Sequence, residues 1–268
     1  MIKSPFRYPG GKSKMLPVIM EHLEPMIANS DNYIEPFIGG GSVMLHLAAN
    51  YPNLKIYIND KNYGIFCFWS IVTGNDAAAI NELLNLIDQK PTLELHSSLR
   101  SNDSVDYITS AYKSLFFNRC NFSGIEMSGC IGGQEQKGKY KIDCRYNPDK
   151  IKQGIKKINA ITRDRFTVSN CDIADYSTLW NTDYPAYLDP PYRIKGKMLY
   201  SKYMEVKEHE VLADKLNHRK NWLLSYDDCQ EIKNLYSNNQ IISFDARYSI
   251  NGSKTQWANK KEILIKDI

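Results

Sequence analysis

The stretch YIEPFIGGGSVMLHLAAN (residues 33–50) decides the fold, because it joins a strand pattern to a helix pattern through glycines. A β-rich apolar run, Tyr33–Ile38, leads into Gly39-Gly40-Gly41-Ser42, and helical periodicity begins at Val43. Glycines at the end of a parallel strand let the backbone approach a ligand closely. The helix that follows offers unpaired N–H groups at its start. The pattern therefore predicts a nucleotide-binding α/β unit.

An acidic residue at the end of the next strand pattern supports this prediction. Asp60 closes the run KIYIND, nineteen residues after Gly41, where a carboxylate can accept hydrogen bonds from ribose hydroxyls. The third glycine of the dinucleotide fingerprint would fall at Met44. A methionine there disfavours a nicotinamide oxidoreductase and favours an adenosine ligand without a pyrophosphate.

The rest of the chain alternates between strand and helix patterns, which predicts a largely parallel sheet with helices on both faces. The last two strand patterns have no helix between them and predict a hairpin with one antiparallel strand. The other predicted strands are Lys55–Ile58, Phe166–Ser169, Pro185–Leu188, Trp222–Ser225, Gln240–Phe244 and Glu262–Lys266. The predicted helices include Lys14–Ile27, Asp76–Ile87, Asp149–Ile161 and Val206–His218.

A long interval with few strand signals interrupts this alternation. We interpret residues 66–160 as an inserted, mainly helical subdomain and residues 1–65 and 161–268 as the domain that carries the sheet. The polar, glycine-rich piece 128–143 predicts a hairpin or a mobile loop. From Arg119 to Lys157 the chain has nine Lys or Arg against four Asp or Glu. This basic stretch suits a phosphate backbone, although an ordinary solvated surface has the same composition.

Composition excludes several classes of protein. The 268 residues carry a net charge of +4 and six scattered cysteines without a C-x-x-C pair, which disfavours a zinc site or a disulfide framework. No apolar run approaches the roughly 18 residues that span a membrane, and MIKSPFRYPGGK lacks the apolar segment of a secretory signal. We expect a cytoplasmic, monomeric protein with reduced thiols and no metal.

Near the N-terminus, Arg7-Tyr8-Pro9-Gly10-Gly11-Lys12 precedes a helix pattern. Backbone N–H groups and the lysine ammonium could bind a carboxylate there. The same residues could equally form a capped helix start, and the spacing of a phosphate loop is absent.

The sharpest motif is Asp189-Pro190-Pro191-Tyr192, directly after the predicted strand Pro185–Leu188. Two prolines end the strand and stiffen the backbone, which fixes the acid and the aromatic ring on either side. An aromatic amine is a poor nucleophile, because its lone pair is delocalised into the ring. A carboxylate and a backbone carbonyl that accept both N–H hydrogens free this lone pair for attack on a sulfonium methyl. Tyr192 can stack on a base that has been flipped out of a duplex.

These motifs together resemble the Dam-like family of adenine-N6 DNA methyltransferases over nearly the whole chain. The matching segments are RYPGGK (7–12), EPFIGGGSV (35–43), IND (58–60), FFNRCNFSGI (116–125), SNCDIADY (169–176), DPPY (189–192), HEVLADKL (209–216), LLSYDD (223–228) and ARYSING with KKEILI (246–265). The resemblance implies a Rossmann-like methyltransferase sheet with a helical target-recognition insertion. It implies methyl transfer from S-adenosylmethionine to N6 of a flipped adenine in double-stranded DNA, with S-adenosylhomocysteine as product.

The resemblance also implies roles for individual residues. Asp189, Pro190, Pro191 and Tyr192 form the catalytic motif, and Asp189 contacts both the cofactor and the adenine amine. The other cofactor-binding residues implied are Tyr8, Gly10, Gly11, Lys12, Glu35, Phe37, Gly39, Gly41, Asp60 and Asp172, with Asp175 as a neighbouring alternative to Asp172.

The DNA contacts are expected from the recognition segment. Arg119 and Asn121 begin it and either contact DNA or pair within the insertion. Lys137, Lys139, Lys141 and Arg145 are expected at phosphates rather than bases. Of these four, Arg145 is the better candidate for a guanine edge because its guanidinium is bidentate. Residues 124–147 lack the pattern of GATC-methylating members, so the target sequence stays open, and a restriction endonuclease is a candidate partner.

Two alternatives share these motifs. The same fold could act on cytosine N4, RNA or a protein amide, although Asp189 favours adenine over acceptors that use Ser or Asn there. A DNA-binding protein without catalysis is the other alternative, and the intact glycine loop and Asp-Pro-Pro-Tyr argue against it.

Overall fold

The computed structural model describes residues 2–7, 11–193, 204–247 and 259–267. Its centre is a seven-stranded sheet with the order β3-β2-β1-β4-β5-β7-β6. The strands are β1 (Asn32–Glu35), β2 (Lys55–Asn59), β3 (Phe166–Ser169), β4 (Ala186–Leu188), β5 (Trp222–Asp227), β6 (Gln240–Arg247) and β7 (Asn259–Lys266). All seven strand predictions are confirmed, with shifts of a few residues at their ends.

Strand direction follows the prediction as well. The pairs β1–β2, β1–β4, β2–β3 and β4–β5 are parallel. Strand β7 lies between β5 and β6 and runs antiparallel to both. The predicted antiparallel strand is therefore present, and it is inserted beside β5 instead of forming the edge of the sheet.

Ten α-helices surround the sheet in the described ranges. They are α1 (Leu16–Ile27), α2 (Ser42–Asn50), α3 (Tyr63–Thr73), α4 (Ala77–Ile87), α5 (Leu93–Ser101), α6 (Tyr107–Cys120), α7 (Pro148–Thr162), α8 (Ser177–Trp180), α9 (Val206–Asn217) and α10 (Gln230–Leu235). Side chains cap several of them; for example, Asn62 accepts from two backbone N–H groups at the start of α3, and Asp76 does the same for α4.

The sheet is buried on both faces, as expected for a parallel α/β sheet. Alternate residues of one strand point to opposite faces, so Tyr33 belongs to one apolar core and its neighbour Ile34 to the other. The first core takes its helical side chains from α1 to α7. The second core takes them from α8, α9 and α10.

The expected insertion, residues 66–160, shares the first of these cores. Phe68, Leu83 and Phe116 pack in one cluster with Ile56 of β2 and Val43 of α2. The expected boundary between residues 65 and 66 falls inside α3. Within residues 128–143 the described backbone forms turns rather than a hairpin, and Asn121 and Cys130 form an isolated antiparallel bridge beside them.

The strand order predicts where a ligand-binding crevice lies. Connections from β1 lead to β2 on one side, whereas β4 lies on the other side of β1. Ligands of open α/β sheets bind at such a reversal of strand order, beyond the carboxyl ends of the strands. Glu35 ends β1 at this edge, and Asp189 directly follows β4.

Candidate active site

A single cavity opens at this reversal and gathers most of the predicted site. It is bounded by the carboxyl ends of β1, β2 and β4 and by the segment before α1. The predicted residues that line it are Gly11, Lys12, Glu35, Phe37, Gly39, Gly41, Asp60, Asp172, Asp189 and Pro191. Tyr8 and Gly10 lie outside the described residues. Of the two acids considered near the third strand, Asp172 lines the cavity, whereas Asp175 is exposed and is not part of the described lining.

The glycine loop has a backbone shape that requires glycine. Gly39 and Gly41 adopt φ angles of +42° and +64°, in the left-handed region. A Cβ atom on Gly41 would lie 2.8 Å from Cζ2 of Trp69. The indole Nε1 of Trp69 donates to the Gly39 carbonyl at 2.9 Å. Trp69 therefore supports the loop from behind, and Ser42 and Val43 at the start of α2 line the cavity.

Asp60 fixes the other side of this loop. Its Oδ2 accepts the Gly39 N–H at 2.9 Å, and its Oδ1 accepts the Asn62 N–H at 2.8 Å. Burial raises the pKa of Asp60 to about 6, against the lowering effect of these two backbone donors. Each carboxylate oxygen keeps a second lone pair, so an Asp60 that holds the loop can also accept from a bound ligand.

Glu35 is a buried acid at the end of β1. It is 3% exposed, and its Oε2 accepts the Tyr33 hydroxyl at 2.8 Å. Burial raises the pKa of Glu35 to about 8, the Tyr33 hydrogen bond opposes this, and the nearby charge of Asp189 adds to it. A carboxyl group with this proton affinity responds strongly to a cation placed in the cavity.

Asp189 lines this cavity and is held by two donors. The Lys12 ammonium lies 2.7 Å from Asp189 Oδ1, and the Ser225 hydroxyl donates to the same oxygen at 2.9 Å. Tyr187 fixes Ser225 in turn, with 2.9 Å between the two hydroxyl oxygens. Burial raises the pKa of Asp189, and the ion pair with Lys12 lowers it.

The second oxygen of Asp189 has a different environment. Among the described residues no hydrogen bond reaches Oδ2, and the side chain keeps 24% of its surface exposed. The Lys12 ammonium, which the sequence predicted for a carboxylate, is thus paired with a carboxylate of the protein itself. Asp189 therefore offers one held oxygen and one accepting oxygen to the cavity.

Tyr192 lies beside the cavity instead of in its described lining. Its ring is 9% exposed, and its hydroxyl donates to Oε2 of Glu262 at 2.8 Å. The Lys12 ammonium stands 4.8 Å from the ring centroid, and the Tyr226 ring centroid is 5.9 Å away. Lys12 therefore contacts both side chains that flank the two prolines.

Asp172 is tied to the rim of the cavity. Its Oδ1 accepts the Ala174 N–H at 3.0 Å and its Oδ2 pairs with the Lys61 ammonium at 2.6 Å. The hydrogen bond from Lys61 lowers the pKa of Asp172 most. Lys61 also reaches Glu208 of α9 at 3.5 Å, which links the second strand, the third strand and α9 at this rim.

Four residues of the site were not predicted. Asn59 is buried and joins β2 to Pro36 and Cys171, and Ser225 and Glu262 hold Asp189 and Tyr192. Asn118 bonds the backbone of Arg7 and Gly124 and lines the cavity. Each lies in a segment that carried the resemblance, and Glu262 gave a further signal as a lone acid inside an apolar strand pattern.

The predicted DNA-binding side chains divide into two groups. Lys137, Lys139, Lys141 and Arg145 are exposed on the turns that follow α6. Asn121, in contrast, is 0% exposed, and its side chain pairs with His96 and with the carbonyls of Ile125 and Glu126. The structure therefore favours internal pairing for Asn121, and we do not assign it to the DNA surface.

Arg119 is partly buried within a cluster of positive charge. Burial and the neighbouring Arg7 lower the pKa of Arg119 to about 10, and burial and Arg145 lower the pKa of Arg7. The buried Arg7 Nη1 and Arg119 Nε atoms have no hydrogen-bond partner in the described structure. These three arginines form no ion pair with any described acid, so the cluster is suited to an anion.

Within residues 2–7, 11–193, 204–247 and 259–267, His, Cys, Asp and Glu side chains form no group of three arranged to hold a metal ion. No helix there combines the length and the apolar character needed to cross a bilayer.

The fold and the site together define a class of protein. The sheet has the strand order 3-2-1-4-5-7-6, with a glycine loop after β1, acids after β2 and β3, and Asp-Pro-Pro-Tyr after β4. This arrangement is that of a Rossmann-like methyltransferase. The particular family follows from comparison with known proteins. The chain belongs to the D12 class N6 adenine-specific DNA methyltransferases, whose family model matches residues 8–250.

Curated relatives agree with this family. The chain is 25% identical over 223 residues to the type II methyltransferase M.MjaIII of Methanocaldococcus jannaschii, covering 75% of this chain and 74% of that protein. It is 30% identical over 125 residues to the type II methyltransferase M1.LlaDCHI of Lactococcus lactis subsp. cremoris, covering 44% and 41%.

Among solved structures, a precorrin-6y C5,15-methyltransferase from Geobacter metallireducens aligns over 94% of this chain and 85% of that one, with 8% identity and a TM-score of 0.37. This likeness is too remote to bear on function. The family establishes that the chain is a site-specific DNA methyltransferase that acts on N6 of adenine, and it implies the use of S-adenosylmethionine. The predicted class, family and reaction are confirmed.

Proposed function

We propose that Asp189 accepts a hydrogen bond from the target adenine amine through Oδ2 while Lys12 and Ser225 hold Oδ1. The observation that carries this proposal is the asymmetric bonding of the carboxylate, with both described donors on one oxygen. Oδ2 is the acceptor left for the base, on the side chain that directly follows β4 at the crevice. A fixed acceptor of this kind needs no reorganisation when the amine arrives.

The cavity also fits S-adenosylmethionine by the chemistry of its lining. Glu35, Asp60 and Asp172 place three carboxyl groups around the glycine loop, where they suit the ammonium group, the ribose hydroxyls and the adenine amine of the cofactor. Gly11, Gly39 and Gly41 complete the wall with glycine backbone that a ligand can approach closely, and Phe37 adds an apolar ring. When bound, S-adenosylmethionine supplies an electrophilic methyl group on a sulfonium centre.

The residues of the chain contribute positioning and electrostatics. Pro190 and Pro191 stiffen the backbone, so that Asp189 and Tyr192 keep a fixed separation. Lys12 neutralises the buried charge of Asp189, which keeps the carboxylate available as an acceptor despite its burial. Pulling the amine hydrogens towards the protein localises the nitrogen lone pair, which is the change an aromatic amine needs before it reacts.

The DNA is proposed to lie across the turns after α6. The exposed lysines 137, 139 and 141, with Arg145, contact phosphates or base edges, and the arginine cluster with Arg7 and Arg119 takes a further phosphate. The target adenine leaves the duplex, enters the cavity and stacks on Tyr192. Residues 66–160 are proposed to provide the recognition surface while sharing the core of the catalytic domain.

The type II relatives support a role in restriction-modification. A protein of this kind protects DNA against a cognate endonuclease, which we propose as the functional partner. We propose that the chain methylates as a monomer.

Replacement of the carboxylate tests the catalytic assignment. We expect Asp189→Ala to lower methyl transfer by at least about 10³-fold, because it removes the acceptor that frees the lone pair. S-adenosylhomocysteine binding, measured by calorimetry, should fall much less. The assay is transfer of tritiated methyl from S-adenosylmethionine to DNA, followed by nucleoside analysis for N6-methyladenine.

The matched control is Asp103→Ala, which removes an exposed carboxylate outside the cavity. It should retain wild-type turnover. An Asp189→Ala protein that methylates adenine at the wild-type rate, with an intact fold by circular dichroism, would refute the assignment.

A further inference from the structure

A buried hydroxyl–carboxyl pair lies behind the candidate active site. The Tyr192 hydroxyl donates to Oε2 of Glu262 at 2.8 Å. Glu262 is 1% exposed and Tyr192 is 9% exposed. A carboxylate at this depth is costly unless hydrogen bonds satisfy it, so the position is not one that packing alone would fill with glutamate.

The backbone on both sides of Glu262 is fixed. Glu262 belongs to β7, and its Cα is paired with Asp227 of β5 on one side and with Phe244 of β6 on the other. A strand paired on both edges cannot shift along its neighbours without breaking two ladders. The next three residues, Ile263 to Ile265, are buried apolar side chains that hold the register. Glu262 is therefore a rigid anchor.

This anchor is close to the catalytic carboxylate as well. Burial is the main cause of the raised pKa of Asp189, and the negative charge of Glu262 raises it further. The Lys12 ammonium lies 2.7 Å from Asp189 and 4.8 Å from the centroid of the Tyr192 ring. Lys12 and Glu262 thus hold the ring from two directions, one at its face and the other at its hydroxyl.

We propose that Glu262 is a positioning residue for methyl transfer, which acts by fixing the plane of the Tyr192 ring against the target adenine. This inference rests on the proposed role of Tyr192 as the stacking surface. A phenol ring without a partner for its hydroxyl is restrained by packing alone. A hydrogen bond at the para position fixes its tilt, and a small error in tilt displaces a stacked base and its amine from Asp189. Glu262 itself does not touch the substrate.

The test uses the full-length protein and four variants. Tyr192→Phe removes only the hydroxyl, Glu262→Ala removes the acceptor, Glu262→Gln keeps an oxygen that can accept, and the double variant Tyr192→Phe with Glu262→Ala completes a cycle. The substrate for kcat and KM is a duplex with adenine at the target, which sequencing of the DNA methylated by the wild-type protein identifies. A second duplex carries 2-aminopurine at that position and reports base flipping by its fluorescence. The last readout is the affinity for S-adenosylhomocysteine.

We expect Tyr192→Phe and Glu262→Ala each to lower kcat by about 10-fold to 100-fold, since a displacement on the order of 1 Å has an effect of that size. Fluorescence of the flipped base should change in both variants, and S-adenosylhomocysteine affinity should stay within about 2-fold. Glu262→Gln should restore kcat to within about 3-fold of wild type, because its amide oxygen still accepts. The double variant should lose less kcat than the product of the two single losses, since both single variants remove the same Tyr192–Glu262 hydrogen bond.

Several outcomes would overturn the proposal. They are a wild-type kcat in Tyr192→Phe, single effects that multiply in the double variant, or a loss in Glu262→Gln as large as in Glu262→Ala. If Glu262→Ala does not fold, Tyr192→Phe and Glu262→Gln still decide, because both keep the buried volume. A purely structural role for Glu262 would lower the melting temperature without changing fluorescence or kcat, which also contradicts the proposal.

These results remain separate from a failure of the proposed function. If wild type transfers no methyl group to adenine, or Asp189→Ala stays active, the proposed function is wrong. If wild type is active, Asp189→Ala is inactive and Tyr192→Phe is fully active, only the role of Glu262 is wrong.

Discussion

At the scale of single residues, the site concentrates acids where water is scarce. Burial raises the pKa of Glu35 to about 8 and that of Asp60 to about 6, and it raises the pKa of Asp189. For each group the folded protein holds its proton more tightly than the unfolded chain does. Stability from these groups is therefore present at low pH and is lost as the pH rises through the folded pKa. Carboxyl groups with such strongly raised pKa values cluster at functional sites.

Gly41 and Gly133 share a left-handed backbone but differ in the space around them, so Gly133 is a control for substitution of Gly41. Its φ is +64°, and a Cβ would meet Trp69 at 2.8 Å, whereas Gly133 has a φ of +66° and no heavy atom within 4 Å of such a Cβ. We expect Gly133→Ala to cost about 1–2 kcal/mol, the backbone penalty of a left-handed alanine. Gly41→Ala should cost about 1–3 kcal/mol more, because Trp69 must also move. Urea unfolding measures both free energies.

The same pair separates stability from ligand binding. S-adenosylhomocysteine affinity should fall in Gly41→Ala, since the displaced loop lines the cavity, and should be unchanged in Gly133→Ala. Equal losses of stability in the two variants, with equal affinities, would show that Trp69 does not constrain the loop.

At the scale of elements, the ends of the strands carry the chemistry and the turns after α6 carry the exposed charge. The strands place Glu35, Asn59 and Asp189 at one edge of the sheet with little freedom to move. The turns present their lysines to solvent, with Lys137 paired to exposed Glu135 and Lys141 bonded to the carbonyl of Gln136. Rigid strands therefore hold the reacting groups, whereas the exposed turns after α6 are free to contact a long anionic ligand.

The exposed lysines of these turns are expected to contact DNA phosphates. Lys137, Lys139 and Lys141 changed together to Gln should reduce the salt dependence of DNA binding. Each phosphate contact contributes about 0.9 to the slope of log K against log salt concentration, so three contacts lower it by about 2.7. Fluorescence anisotropy of a labelled duplex across a salt series measures the slope.

The control replaces Lys55 and Lys220, two exposed lysines at the amino ends of β2 and β5, on the edge of the sheet opposite the cavity. Their change to Gln should leave the slope unaltered. A slope that falls equally per lysine in both sets would mean that DNA is held by overall charge and not by the turns after α6.

At the scale of the whole molecule, the features that could be predicted from sequence are those that local patterns determine. Short β-rich, apolar runs predicted all seven strands. The segments that end them supplied eight of the ten predicted residues that line the cavity, and the N-terminal segment supplied Gly11 and Lys12. Strand order, however, depends on pairing between distant segments. No local sequence pattern predicts that β7 lies between β5 and β6. Asn121 shows the same limit, because an asparagine that contacts DNA and one that pairs with a buried His96 look alike in sequence.

The bond between Tyr192 and Glu262 spans 70 residues and illustrates why the remainder was missed. Only the assembled sheet brings β7 to the end of β4. The expected division at residue 66 stays a prediction. Helical periodicity marks where α3 to α7 lie in sequence, and only the structure shows that their apolar faces close the same core as β2.

This shared core leads to a prediction about the molecule as a unit. Phe68, Leu83 and Phe116 from the expected insertion pack with Val43 and Ile56 of the catalytic part, so neither part retains a complete core when the other opens. We expect one cooperative thermal transition in calorimetry. S-adenosylhomocysteine at 100 times its Kd should stabilise the folded state by about 2.7 kcal/mol and shift that transition by about 5–10 °C. Hydrogen exchange should show equal added protection in α4 and in β4, although α4 does not line the cavity. The contrary result would be two thermal transitions, of which the ligand shifts only the one that includes β4. It would show that residues 66–160 unfold independently and that the packing of α3 against the sheet contributes little to holding the active site.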